Sequence, residues 1–142
     1  MKSVRYTSRC NDVAMTTLSS RGGGATCDPS KPSLAARDLL TEAQAAELRG
    51  TFKVLASETR LRLLHALERS GELRVSELAA AVEMAPQAVS NQLQRMADRG
   101  IVAARREGSS IIYRVADPCV TALLELGLCL AEEAKEGRAA AA

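Results

Sequence analysis

The sequence predicts a mainly α-helical fold with one small β-hairpin, a winged helix-turn-helix, and three observations carry that expectation. Leu78, Ala81 and Val82 form a short apolar stripe, and Val89, Leu93 and Met96 form a second at spacings of four and three, so two amphipathic helices share a core. Only Glu83, Met84 and Ala85 connect them, which leaves room for a tight turn alone. Two runs rich in β-branched residues within Ile101 to Val115 then flank Arg106, Glu107, Gly108 and Ser109, the pattern of a hairpin with glycine at its turn.

Three units are expected: a cysteine-bearing, flexible arm over 1–33, a DNA-binding and dimerisation domain over 34–137, and a disordered tail over 138–142. The arm holds Gly22, Gly23 and Gly24 in a row, Pro29, Pro32 and many Ser and Thr, with no sustained periodicity. From Leu34 to Ala56 one or two helices follow. Thr41 with Gln44 three residues later is a capping-box signature, and Ala46, Leu48, Phe52, Leu55 and Ala56 supply an apolar face. Ser57 starts the next helix, with Leu61, Leu64 and Leu67 inward, and Gly71 ends it. His65, the only histidine, lies beside that stripe and is expected to be a partly buried structural residue.

Pro86 suits the first turn of the next helix but one, where its missing N–H costs nothing. With Val89, Leu93 and Met96 inward, that helix presents Gln87, Ser90, Asn91 and Gln94, with Arg95 at the edge. Amides can bond adenine bidentately, serine can bond any base edge, and arginine can reach guanine or a phosphate. Arg105, Arg106 and Arg114 lie on or beside the hairpin, where a wing meets phosphates. The expected partner is double-stranded DNA.

Composition bounds the function. The 142 residues suffice for one domain and an arm, with 46% apolar and only 2% aromatic residues. A net charge of +2 is too small to argue for nucleic acid, so that case rests on placement. No apolar run approaches the ~18 to 20 residues that span a bilayer, and no signal-peptide core opens the chain, so a cytoplasmic protein without membrane contact is expected. An enzyme is not expected: one histidine, no triad-like arrangement and no phosphate-binding glycine loop are present. Four cysteines, Cys10, Cys27, Cys119 and Cys129, occur without any C-x-x-C pair, and in a chain without an export signal they point to metal or redox chemistry.

From about Leu48 to Glu133 the chain resembles the ArsR/SmtB family of bacterial metal-responsive repressors. The resemblance is carried by FKVLASETRLRLLHAL, ELRVSELA, QAVSNQLQRM, GIVAARREGSSIIYRV and Asp117. It implies a homodimeric winged helix of order α-α-α-α-β-β-α. VSNQL is similar to the family's recognition-helix run, with Asn91 where the first of its histidines usually stands. The family's first metal site, a Cys-x-Cys pair, falls on Arg74 and Ser76, so it is absent here. Its second site, on the last helix, falls on Asp117 and Cys119, then on Leu130 and Glu133, with Cys129 just before Leu130. Both histidines of that second site are lost and sulfur is gained.

The resemblance therefore implies a dimeric repressor released from operator DNA by a soft ion. Thiolates favour As(III) or Hg(II), with Cd(II) and Pb(II) as further candidates, over hard divalent ions. Cys119 and Cys129, ten residues apart on one helix, are ~15 Å apart along its axis and cannot share an ion within one chain. The proposed ligands are Cys27, Cys119 and Cys129, with Cys10 auxiliary and Asp117 or Glu133 as oxygen donors. Two alternatives stand beside this: a thiol-redox or persulfide-sensing repressor of the same fold, although His65 replaces a cysteine expected there, and a dimeric interaction or metal-carrier protein that does not read DNA.

Overall fold

A computed structural model describes residues 30–142. After a 3₁₀ turn over Leu34–Ala36 come α1 (Glu42–Leu55), α2 (Glu58–Ser70), β1 (Leu73–Arg74), α3 (Val75–Val82), α4 (Pro86–Ala97), β2 (Val102–Glu107), β3 (Ser110–Val115) and α5 (Pro118–Ala141). The expected winged helix-turn-helix is present, with β1 added. No described helix is long and apolar enough to cross a membrane.

Local chemistry sets the boundaries. At the start of α1 the Gln44 N–H donates to Thr41 Oγ1 (3.2 Å) and the Thr41 N–H to Gln44 Oε1 (3.0 Å), which satisfies two otherwise unpaired helix donors. Ser57 Oγ accepts from the Arg60 N–H to open α2, and Gly71, at φ 82°, closes it in a conformation that an L side chain resists. Glu77 accepts from the Arg74 N–H (2.7 Å) to start α3. Asp117 caps α5 by accepting from the Cys119 N–H (2.7 Å), with Pro118 in the first turn.

The core gathers Leu55, Leu63, Leu64, Leu67, Leu78, Ala79, Val82, Val89, Leu93, Met96, Ile101, Val102 and Tyr113. Two inward positions differ from expectation. Leu61 is 40% exposed and Leu63 takes its place. A strict three-residue spacing falls about 60° short of a full turn at each step, so Leu61 lies ~120° around from Leu67 and leaves the buried stripe. His65 lies ~160° from Leu67 by the same count and is exposed, not partly buried. In α3 the buried partner of Leu78 and Val82 is Ala79, while Ala81 faces solvent.

β2 and β3 form the hairpin, with Glu107 paired to Ser110 across Gly108 and Ser109. Gly108, at φ 61°, fits the first position of a type II′ connection. β1 pairs antiparallel with β3, Leu73 with Tyr113 and Arg74 with Ile112, giving the order β1-β3-β2. This two-residue strand was not anticipated, because two residues carry no periodicity. The tail expected over 138–142 is corrected: α5 continues to Ala141. Its end is a run of alanines, the best helix former. α5 rests Val120, Leu123 and Leu124 against the core and leaves Leu126, Leu128 and Leu130 exposed.

Candidate nucleic-acid interface and cysteine helix

α4 is anchored by Val89, Leu93 and Met96, each fully buried. Ala85 offers no side-chain cap, and Pro86 occupies the first turn. Gln87, Asn91, Gln94 and Arg95 are exposed and Ser90 is half-buried, so the five side chains expected to meet DNA share one side of α4. Gln87 Nε2 donates to Asn91 Oδ1 (3.2 Å) and Gln94 Nε2 to Asp98 Oδ1 (2.8 Å). These exposed bonds hold the amides in place yet leave each with unused donors or acceptors for a base edge.

Gln92, in the middle of the same run, does something else. Its Oε1 accepts from Arg60 Nη1 (2.7 Å), and Arg60 Nε donates to the Val54 carbonyl. Arg60 thus ties the end of α1, the start of α2 and the flank of α4 together. Sequence reasoning missed it, since a single arginine in a polar helix start gives no pattern.

In the wing, Arg105 points back across the sheet. Its Nη2 lies 2.8 Å from Glu72 Oε2 and its Nη1 2.7 Å from Glu107 Oε2, while Arg74 lies 3.6 Å from Glu107. The guanidinium holds the Glu72 carboxyl below its ordinary value, chiefly through their hydrogen bond, and the two carboxylates raise the Arg105 pKa. Arg106, next along β2, projects to the opposite face by strand alternation and is exposed. Arg114 donates to the Val115 carbonyl (3.2 Å). Arg74 and Ser76 occupy the positions of the family's first metal pair, and Arg74 there serves an ion-pair cluster instead.

Cys119 lies in the first turn of α5 and Cys129 nearly three turns on, both half-buried. Cys129 Sγ is 4.0 Å from Glu133 Oε1, and the Asp117 cap sits beside Cys119. Both cysteines are disulfide-bonded. Ten positions apart on one continuous helix, they are not bonded to each other. Cys10 and Cys27 lie outside the described residues, and among those described no three Cys, His, Asp or Glu side chains gather into a metal-binding group. α5 is linked to α2 by Thr121 Oγ1, which donates to Glu68 Oε2 (2.8 Å), a contact with no signal in the sequence pattern.

Comparison with known proteins agrees with this arrangement. Residues 57–104, from the cap of α2 into β2, match the family described as bacterial regulatory protein, arsR family. The chain is 41% identical over 81 residues to the HTH-type transcriptional regulator NmtR of Mycobacterium tuberculosis, covering 57% of this chain and 67% of that one. A crystal structure of the AntR antimony-specific transcriptional repressor is 64% identical, with a TM-score of 0.65 over 78% of this chain and 99% of that chain. A solution structure of a homodimeric winged helix-turn-helix DNA-binding domain from Mycobacterium bovis is 34% identical, with a TM-score of 0.62 over 69% of this chain and 93% of that one. The shared helices, turn and wing, together with identity sustained across most of these relatives, place the chain in the ArsR family of bacterial regulatory proteins.

Proposed function

We infer that the protein is a homodimeric transcriptional repressor that binds operator DNA and lets go when a soft metalloid ion is captured by cysteine thiolates on α5. Gln87, Ser90, Asn91, Gln94 and Arg95 read or grip one half-site, and the wing, with Arg106 outermost, follows the backbone. The dimer sets two such heads about one DNA turn apart.

One observation carries the choice of inducer. The likeness to an antimony-specific repressor, 64% identical over 99% of that chain, coincides with an α5 that carries two cysteines, Cys119 at a donor position of the family's second site and Cys129 one residue before the other. Trivalent antimony and arsenic are soft and favour thiolates, so Sb(III) or As(III) is the reading we favour, ahead of Hg(II), Cd(II) and Pb(II). Once its cysteines are reduced the donor set fits: Cys119 and Cys129 are both half-buried rather than sealed in the core, with oxygen from Asp117 and Glu133 beside them. Since one helix cannot bring both sulfurs to one ion, each site is completed by Cys27, by the auxiliary Cys10, or by the second chain.

Bound ion would shift α5, and the Thr121–Glu68 bond passes that shift to α2, on which α4 rests through Arg60. Linkage is reciprocal: an ion that binds the DNA-free form more tightly weakens operator binding by the same factor, typically ~1 to 3 kcal/mol. A thiol-redox repressor is the second reading, favoured by the disulfides at Cys119 and Cys129.

The deciding experiment is fluorescence anisotropy of the reduced protein on DNA from upstream of its own gene, titrated separately with Sb(III), As(III), Hg(II), Cd(II), Pb(II), Zn(II) and an oxidant. Release by a trivalent metalloid, lost in Cys119→Ser, is the expected result. Release by oxidant alone, reversed by dithiothreitol, would move the assignment to redox sensing. Absence of any operator preference would sink the repressor reading.

A further inference from the structure

A cationic groove of about 440 Å³ lies at the flank of α4, and of its charged lining only Arg95 enters the function proposed above. Its lining includes Gly50 and Lys53 from α1, Arg60 from α2, and Arg95, Asp98 and Arg99 from the end of α4 and the turn after it. Four positive side chains from three elements therefore face one negative one. Like charges placed together cost stability unless something of opposite sign occupies the space between them.

Two features show how the groove is held. Arg60 fixes its base through the Val54 carbonyl and Gln92. Arg99 crosses α1 directly over Gly50, with one arm of its guanidinium 3.3 Å from Glu47. A Cβ on Gly50 would sit 2.6 Å from both terminal nitrogens of Arg99, so the guanidinium can lie there only because residue 50 has no side chain. Glycine inside a helix is less favourable than alanine, which makes this seat a feature with a cost. Lys53 and Arg95, by contrast, make no hydrogen bond or ion pair among the described residues, and both are exposed.

We propose that this groove is a phosphate clamp, in which Lys53, Arg95 and Arg99 seat a phosphate of the operator backbone beside the half-site that α4 reads. The position argues for DNA phosphate over a free anion. Arg95 follows Gln94 on α4, about 100° around the helix, so the groove begins where the exposed amide face ends. The groove is also open to solvent rather than enclosed, which suits a passing strand better than a small ion that needs enclosure. A contact of this kind carries no sequence information. It fixes how deeply and at what angle α4 enters the major groove. The proposal rests on the operator-binding reading, and the wild-type arm of the test separates the two.

The test measures affinity of the full chain for an operator duplex and for a scrambled duplex across a salt series. Lys53→Gln removes one charge that has no structural partner. Losing one phosphate contact lowers the slope of log affinity against log salt by ~0.9, and affinity at physiological salt by about fivefold, equally on both duplexes. Gly50→Ala keeps every charge and favours the helix, but pushes Arg99 from its seat, and should also weaken both duplexes. Lys135→Gln, an exposed charge on α5 outside the groove, should leave the slope unchanged. An unaltered slope in Lys53→Gln overturns the clamp, as does a loss confined to the operator, which would make the groove a base reader. Thermal stabilisation by inorganic pyrophosphate that Lys53→Gln abolishes, with the DNA slope intact, would overturn it in favour of a small-anion site. A wild-type protein that prefers no operator removes the repressor reading, and the clamp with it.

Discussion

Arg105 holds two carboxylates within hydrogen-bonding distance, Glu72 at 2.8 Å and Glu107 at 2.7 Å, and its side chain is still half exposed. That combination makes it a tie between the wing and the segment before α3 more than a free cation awaiting DNA. Its consequence is testable through pH. Glu72 titrates below its ordinary 4.5 in the folded protein, so its ion pair contributes stability above that value and loses it as pH falls through the depressed folded value. Glu72→Gln should therefore lower the urea midpoint at neutral pH, and the gap from wild type should close in acid. High salt should shrink the same gap, because exposed pairs are screened. A gap constant from neutral to acid pH would show that the pair adds nothing. Arg106, on the other face of β2, keeps its charge outward, and its replacement, unlike that of Arg105, should weaken DNA binding without touching this pH response.

The turn between α3 and α4 sets the angle of the reading helix, and it turns on Glu83, at φ 56° and ψ 49°. The Met84 N–H reaches back to the Ala79 carbonyl (3.0 Å), closing a Schellman-type end. A left-handed residue other than glycine costs ~1 to 2 kcal/mol, whereas glycine there costs part of that through the freedom it adds to the unfolded chain. Glu83→Gly should thus stabilise the fold by ~0.5 to 1 kcal/mol, read from urea unfolding with an unchanged m-value. A loss of stability would mean that the Glu83 side chain contributes something its exposure does not suggest. Elements of this kind were legible to different depths. α4 was readable because Val89, Leu93 and Met96 keep a helical period against polar neighbours, and the hairpin because glycine interrupts two β-branched runs. α2 was readable as a helix but not in its facing, since leucines at 61, 63, 64 and 67 fit more than one stripe and only packing against α3 and β3 chooses. β1 and the Arg105–Glu72 pair were not readable, because they depend on residues 33 to 40 positions apart meeting across a sheet.

Among the described residues, two helices each leave a group of large apolar side chains exposed. Leu48 and Phe52 of α1 are 46% and 48% exposed, and Leu126, Leu128 and Leu130 of α5 between 48% and 62%. Side chains of this size in helices that pack one flank on their own core mark an interaction surface. On α5, Cys119, Leu126 and Leu130 fall within about 40° of one another around the helix axis. The face we assign to the second subunit is therefore also the face that presents the first thiolate. On the proposed function ion capture and subunit packing are coupled, because a sulfur drawn towards an ion would move the helix assigned to the dimer seam. Leu130→Asp places a charge in that seam without touching a cysteine, the core or α4. It should give a single-chain mass in sedimentation equilibrium where the wild type gives a dimer. Operator affinity should fall by ~100-fold or more, since each head then binds without the effective concentration its partner supplies. What affinity remains should no longer respond to Sb(III) or As(III), because a lone head has no spacing for the ion to change. A variant that stays dimeric, or a monomer still released by the ion, would put the interface elsewhere and uncouple α5 from the switch.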